Sequence, residues 1–232
     1  MIKINMCTLL LSMLMIFPAY CFQPISITLD ETKNFPGDWS LLPEEIYLAL
    51  KYTTYSDTLH ILEFGAGSGT VELTKLLQKK QIAYNYHAFE NDAHYATKLD
   101  NVTYHLYQLP RAITPTYAEW SEPIANIVFP VEFPTFDLII VDGPHGVARS
   151  EWYRKFKQYA RPGTIILVDD FAHYTEFAQQ LDEHFKYTTI IEYNQSSSWP
   201  IINEGIETIT SPFLNKTFKI VIVNEVLMEE NK

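Results

Sequence analysis

The chain has 232 residues, of which 47% are hydrophobic and 19% charged, and its formal net charge is −11. That length fits one domain with a core large enough to fold without disulfides or structural metals. An aromatic share of 14% excludes a disordered chain, and the excess of acid argues against a nucleic-acid partner, which needs clustered Lys and Arg.

Lys3 precedes an apolar run from Met6 to Phe17, which Pro18 breaks ahead of Ala19-Tyr20-Cys21. This is the layout of a secretory signal peptide over residues 1–21, and a cut after Cys21 leaves residues 22–232 as the mature domain. The segment predicts export to a secreted, periplasmic or lumenal destination, or, if uncut, an N-terminal membrane anchor. Both cysteines, Cys7 and Cys21, fall inside it. The body of the chain therefore holds no disulfide, thiol nucleophile or Cys-rich zinc site.

After Thr32 to Ser40, which is polar, the pattern predicts a helix from Pro43 to about Tyr55 and then a buried strand from His60 to Phe64. A helix follows over Thr70 to Lys80, with Val71, Leu73, Leu76 and Leu77 on one face, then a strand from Ile82 to Phe89. Asp92 starts a further helix to Leu99, and Val102 to Leu109 reads as a third strand. Phe136 to Val141 is continuously apolar, as a central parallel strand is. Trp152, Phe156 and Tyr159 recur at helical spacing, and Pro162-Gly163 turns the chain into a strand at Thr164 to Val168. Phe177, Leu181 and Phe185 mark another helix, before strands at Tyr187 to Tyr193 and Phe218 to Val223 that lack a helix between them. Such alternation predicts an α/β, Rossmann-like three-layer sandwich: a seven-stranded, mostly parallel sheet with an antiparallel last strand. Pro110 to Thr135 and Asn194 to Asn215 fall outside the pattern as long loops, the kind that often form lids over a site.

Glu63-Phe-Gly65-Ala-Gly67-Ser-Gly69-Thr70 joins a strand to a helix. Glycines there let backbone approach a ligand at the carboxyl ends of the strands. The third glycine comes one residue too early for a dinucleotide fingerprint. Glu63 beside the loop repels a pyrophosphate and suits an amino-bearing ligand. Both details favour S-adenosylmethionine over NAD. Glu90 ends the next strand, where a carboxylate takes both ribose hydroxyls as donors; otherwise it caps the helix expected at Asp92.

These motifs, with AFEND at 88–92, FDLIIVDGPHG at 136–146 and RPGTIILVDD at 161–170, resemble the class I S-adenosylmethionine-dependent methyltransferases over nearly all of residues 40–225. The resemblance implies that Glu63, Gly65, Gly67 and Gly69 contact the methionine part of the cofactor and that Glu90 holds its ribose. The third strand ends in Tyr107-Gln108 rather than in a recognisable adenine-binding pattern.

Asp142 ends the fourth strand, and Asp169 and Asp170 end the fifth, on the side of the sheet that carries the glycine loop. Asp142 is thus expected beside the cofactor as well as at the reaction centre. Three converging carboxylates repel one another unless protonated or bound to a cation such as Mg²⁺. The arrangement resembles the catechol O-methyltransferase type. That resemblance implies Asp142, Asp169 and Asp170 as ligands of a divalent cation that lowers the pKa of a substrate hydroxyl. Gly143-Pro144-His145-Gly146 departs from the catechol pattern, and Asp169 and Asp170 equally suit backbone contacts and helix capping. His145 in the same turn is a candidate base for the acceptor hydroxyl, and His173 is a second of the same kind. Arg149 and Tyr174 either reach the acceptor pocket, where an Arg suits a carboxylate-bearing substrate, or pack at helix ends. The reading is a methyltransferase acting on a small-molecule or glycan hydroxyl. A non-catalytic cofactor-binding module and an aminopropyl transferase of the same fold are the alternatives.

Overall fold

The computed structural model describes residues 22–35, 41–110, 117–144, 146–194, 201–202 and 217–227. The predicted signal segment lies outside the described residues, as does His145. Among the described residues no helix is long and apolar enough to cross a membrane.

In chain order the elements are β1 (Gln23–Pro24), α1 (Pro43–Tyr52), β2 (Thr54–Tyr55), β3 (Leu59–Phe64), α2 (Ser68–Lys79), β4 (Tyr84–Glu90), β5 (Val102–Leu106) and α3 (Tyr117–Ala125). They continue with β6 (Leu138–Val141), α4 (Glu151–Phe156), β7 (Ile165–Asp169), α5 (Thr175–His184), β8 (Phe185–Asn194), β9 (Ile201–Ile202) and β10 (Thr217–Val226). The main sheet runs β5-β4-β3-β6-β7-β10-β8-β9, and β1 pairs separately with β2. Strands β5, β4, β3, β6 and β7 are parallel, and β10 is antiparallel to both β7 and β8. The α/β, mostly parallel sheet with an antiparallel last strand is therefore as the sequence predicts. The two-residue β9 adds an eighth strand at the edge.

Helices cover both faces of the sheet. On one face Ile46, Leu48 and Leu50 of α1 and Leu73, Leu76 and Leu77 of α2 pack with Ile61, Leu138 and Ile140. On the other, Ile124 of α3, Trp152, Tyr153 and Phe156 of α4, and Phe177 and Leu181 of α5 pack with Leu62, Phe64, Ile139 and Val141. Successive residues of β6 thus feed opposite cores, which is why Leu-Ile-Ile-Val is apolar throughout and wholly buried. Helix α1 starts at Pro43, and the Glu45 carboxylate accepts the Leu42 N–H at 2.9 Å, which satisfies one of the free donors of the first turn. Asp137, buried just ahead of β6, accepts the His60 N–H at 2.9 Å and pairs with Arg161, so it ties three loops at the amino ends of β3, β6 and β7.

Two local expectations fail. Residues Asp92 to Leu99 form a turn at 93–95 and irregular backbone rather than a helix. Ala93, Tyr95 and Ala96 find no core to bury against, and a helix that short depends on packing. Conversely, the proline-rich Pro110 to Thr135 contains helix α3, with Pro123 inside it. Burial of Ile124 and the hydrogen bond from the Trp120 indole to the Pro110 carbonyl at 3.0 Å hold α3 to the domain despite the proline.

Candidate active site

The site is built where the carboxyl ends of β3, β4, β6 and β7 meet. Gly65 follows β3 with φ of +94°, a conformation that L side chains avoid. A Cβ added at Gly65 would stand 2.6 Å from the Gly143 backbone nitrogen, and one added at Gly143 would stand 2.5 Å from the Gly65 Cα. The turns after β3 and β6 therefore touch backbone to backbone, and the Asp142 N–H donates to the Phe64 carbonyl at 2.8 Å. Gly143 was visible in the sequence only as part of a turn. Its partnership with Gly65 is a contact across 78 residues that no local pattern signals.

Gly67 has a different surrounding: a Cβ built on it meets no described atom within 4 Å. Its N–H donates to the Thr70 hydroxyl at 3.0 Å, which in turn donates to Glu63 at 2.7 Å. The Tyr86 hydroxyl donates to the same Glu63 oxygen at 2.8 Å. Glu63 is 1% exposed, so it sits beneath the loop and braces it through Thr70. Gly69 is buried in the first turn of α2. Glu63, Gly65, Gly67 and Gly69 thus occupy one strand–turn–helix unit, with Gly67 on its open side.

Burial pushes the Glu63 carboxyl up to about 7, and the neighbouring Glu90 charge adds to this, while the bonds from Thr70 and Tyr86 pull the other way. The sign of the linkage follows. The folded value lies above the unfolded one near 4.5, so the stabilisation is full below that pH and is lost as pH rises through 7. The Glu63→Gln protein, measured by thermal unfolding, is therefore expected to lose less stability than wild type between pH 5 and pH 8.

Glu90 ends β4 and is 5% exposed. One carboxylate oxygen accepts the Ala66 N–H at 2.8 Å and the other the Asp92 N–H at 2.7 Å. Each oxygen keeps lone-pair capacity beyond the bond it takes. Burial raises the Glu90 pKa, opposed by the backbone donors. The carboxylate is fixed beside Ala66 of the glycine loop, where a ligand lying on that loop comes into its reach.

Asp142, Asp169 and Asp170 lie at the ends of β6 and β7, as the sequence places them, but they do not assemble into a metal centre. Among the described residues no group of three or more His, Cys, Asp or Glu side chains is placed to hold an ion. Arg149 lies beside these strand ends. Its guanidinium, 3% exposed, reaches between the two strand ends. There its Nε donates to the Pro144 carbonyl at 2.9 Å and its Nη1 to the Asp169 carbonyl at 3.2 Å. Asp170, held in the left-handed region at φ of 56°, turns one oxygen to within 3.7 Å of Arg149 Nη1 and the other to 3.3 Å from His173 Nδ1. Arg149 thus pairs with Asp170 and bonds the backbone at both strand ends, and the described side chains offer no three-carboxylate set for Mg²⁺. Treatment with EDTA is expected to leave the thermal midpoint unchanged, and added Mg²⁺ to leave it unchanged as well. Tyr174 packs on Phe177 with ring centroids 5.0 Å apart, in the manner of a helix-end contact.

Residues 62–171 match the model of a family described as methyltransferase domain. Residues 62–171 thus carry a methyltransferase domain. The matched span of this methyltransferase runs from the middle of β3 to just past β7, and so contains Glu63, the three loop glycines, Glu90, Asp142, Arg149, Asp169 and Asp170. No curated protein matches it by sequence. Among solved structures it is similar to the precorrin-6y C5,15-methyltransferase of Geobacter metallireducens (15% identity over 77% of this chain and 86% of that one, TM-score 0.43). It is also similar to an rRNA methylase of Streptococcus thermophilus (14% identity over 78% and 95%, TM-score 0.43). A third is the CMeT domain of citrinin polyketide synthase (15% identity over 79% of this chain, TM-score 0.48), and there the methyltransferase spans 52% of the other chain.

Proposed function

We propose that this methyltransferase transfers the methyl group of S-adenosylmethionine to a hydroxyl oxygen of a small molecule or glycan, without a divalent cation. The observation that carries the reading is the coupling of the glycine loop to Glu90. The carboxylate is hydrogen-bonded to Ala66 N–H, and Gly67 is open on the same loop. In this reading the methionine part of the cofactor lies along Gly65–Gly67, with Glu63 and Gly69 shaping that loop from below. The ribose hydroxyls donate to Glu90. When bound, S-adenosylmethionine supplies the methyl group on a sulfonium, a leaving group that departs neutral.

Asp142 stands at the end of β6 beside the glycine loop and orients the acceptor hydroxyl. His145, three residues on, takes the hydroxyl proton as general base near neutral pH. The rest of the acceleration comes from aligning the acceptor oxygen with the sulfonium methyl. The net charge of −11 favours a small acceptor over a nucleic acid. Residues 1–21 act as an export signal or anchor, and residues 22–232 form the working domain. N-terminal sequencing of the isolated protein decides between a start at Phe22 and a retained leader.

The test is methyl transfer from labelled S-adenosylmethionine to a panel of catechols, uronates and sugars, with an RNA control. Labelled hydroxyl product formed equally with and without EDTA supports the proposal, and Asp142→Ala and His145→Ala should each lower its rate by about a hundredfold or more. Label found only on RNA, or transfer that requires a divalent cation, would overturn it.

A further inference from the structure

Arg149 does more than its bonds to the two strand ends require. Its Nε and Nη1 are used, but Nη2 has no acceptor among the described residues. The Asp170 carboxylate at 3.7 Å is too far for a hydrogen bond and leaves the buried charge only loosely compensated. Two phenols lie in the field of this guanidinium. The Tyr107 hydroxyl, just past β5, and the Tyr153 hydroxyl, on α4, are both buried with no hydrogen-bond partner. Burial drives both phenols well above their ordinary pKa, so both stay protonated and remain donors, and the Arg149 charge acts on each. Tyr107 donates its N–H to the Glu90 carbonyl at 3.1 Å, and its ring packs on Trp152, whose indole donates to the Gly143 carbonyl at 2.9 Å, next to the Pro144 carbonyl that Arg149 holds.

Buried donors without acceptors are rare and costly. Here donor capacity gathers around one buried cation beside the turn after β6. An incoming group made only of acceptors, with one negative charge, would relieve it. The planar guanidinium favours a carboxylate. A doubly charged phosphate would meet repulsion from Asp170 beside the same guanidinium and from nearby Glu90. The cofactor's own carboxylate is the weaker candidate, because its expected seat is the Gly65–Gly67 loop after β3. Arg149 instead bridges the ends of β6 and β7, on the far side of Gly143.

We propose that Arg149 and the Tyr107 hydroxyl form a subsite for a carboxylate carried by the methyl acceptor, so that the acceptor is a hydroxy acid. This rests on the reading of the site as a methyltransferase centre. The subsite anchors the acid end of the acceptor and leaves its hydroxyl toward Asp142.

The test is calorimetric binding to the full chain saturated with S-adenosylhomocysteine. The probes are two matched pairs, 4-hydroxybenzoate with 4-hydroxybenzamide, and glucuronate with glucose. At least one acid is expected to bind about tenfold or more tightly than its neutral partner, the size of one charge-assisted hydrogen bond. The preference is expected to collapse toward one in Arg149→Met and to shrink several-fold in Tyr107→Phe. The second variant removes a hydroxyl that holds nothing in the fold, so its thermal midpoint should equal or exceed that of wild type. Equal binding of acid and neutral partner in both pairs, or a preference unchanged in a folded Tyr107→Phe or Arg149→Met protein, would overturn the proposal. So would a fall in S-adenosylhomocysteine affinity in Arg149→Met with the acid preference intact, which would assign the anion to the cofactor. Failure of wild type to bind S-adenosylhomocysteine at all would overturn the methyltransferase reading instead, and the two failures are therefore distinct.

Discussion

Replacing Glu90 with alanine is expected to weaken S-adenosylhomocysteine binding by about a hundredfold or more, measured by calorimetry on folded protein. Two effects add. The carboxylate is proposed to accept both ribose hydroxyls, and it also holds the Ala66 and Asp92 N–H groups at 2.8 and 2.7 Å. Bonds to a charged group contribute about 1.5–3 kcal/mol each, and removing the acceptor leaves two backbone donors without their partner in a place that water reaches poorly. Glu90→Gln is the informative control. Its amide keeps one acceptor oxygen but presents a donor to the second N–H, so it should recover only part of the affinity. Full affinity in the alanine variant would remove Glu90 from the cofactor site and leave it as a loop brace.

The second large effect is steric. Gly143→Ala is expected to lower stability by about 3 kcal/mol, or about 6–12 °C in thermal midpoint for a domain of this size. The new Cβ would stand 2.5 Å from the Gly65 Cα, and backbone on backbone has no rotamer through which to relax. Gly65→Ala should cost at least as much, because a Cβ there meets the Gly143 nitrogen at 2.6 Å and the residue also sits at φ of +94°. Gly67→Ala should behave in the opposite way. Its Cβ meets nothing described within 4 Å, so stability should stay within about 1 kcal/mol of wild type while cofactor affinity falls. Thermal unfolding and calorimetry on the three variants separate glycines that let strands close from a glycine that lets a ligand approach. A Gly143→Ala protein as stable as wild type would show that the two turns do not touch in solution.

The residues that were hardest to read are those whose role depends on distant partners. Asp169 and Asp170 look like two more ligands in a string, yet Arg149, about twenty residues earlier, bonds the Asp169 carbonyl and pairs with the Asp170 carboxylate. Tyr107 ends a strand in a way that matches no adenine pattern, and its interest lies in a hydroxyl buried near Arg149 and Glu90. Asp92–Leu99 failed as a helix for want of a surface to pack on, and α3 formed in a proline-rich stretch because it found one.

What the sequence determined by itself was whatever repeats at short range or reads out along one strand. Apolar runs set β3, β6 and β7, because a strand covered on both faces must be apolar at every position. The order strand, glycine turn, helix, strand, acid set the cofactor side of the site, because parallel strands connected by helices bring their carboxyl ends to one edge. Only the tertiary structure decided which charges face one another at that edge. The spacing of Asp142, Asp169 and Asp170 permits a metal, but in the fold the described side chains form no ligand group, and Asp170 pairs instead with a guanidinium bonded to the backbone at the β6 and β7 ends. Charge pairing across a buried site depends on distances of a few ångströms between side chains far apart in the chain, and no local pattern carries that information.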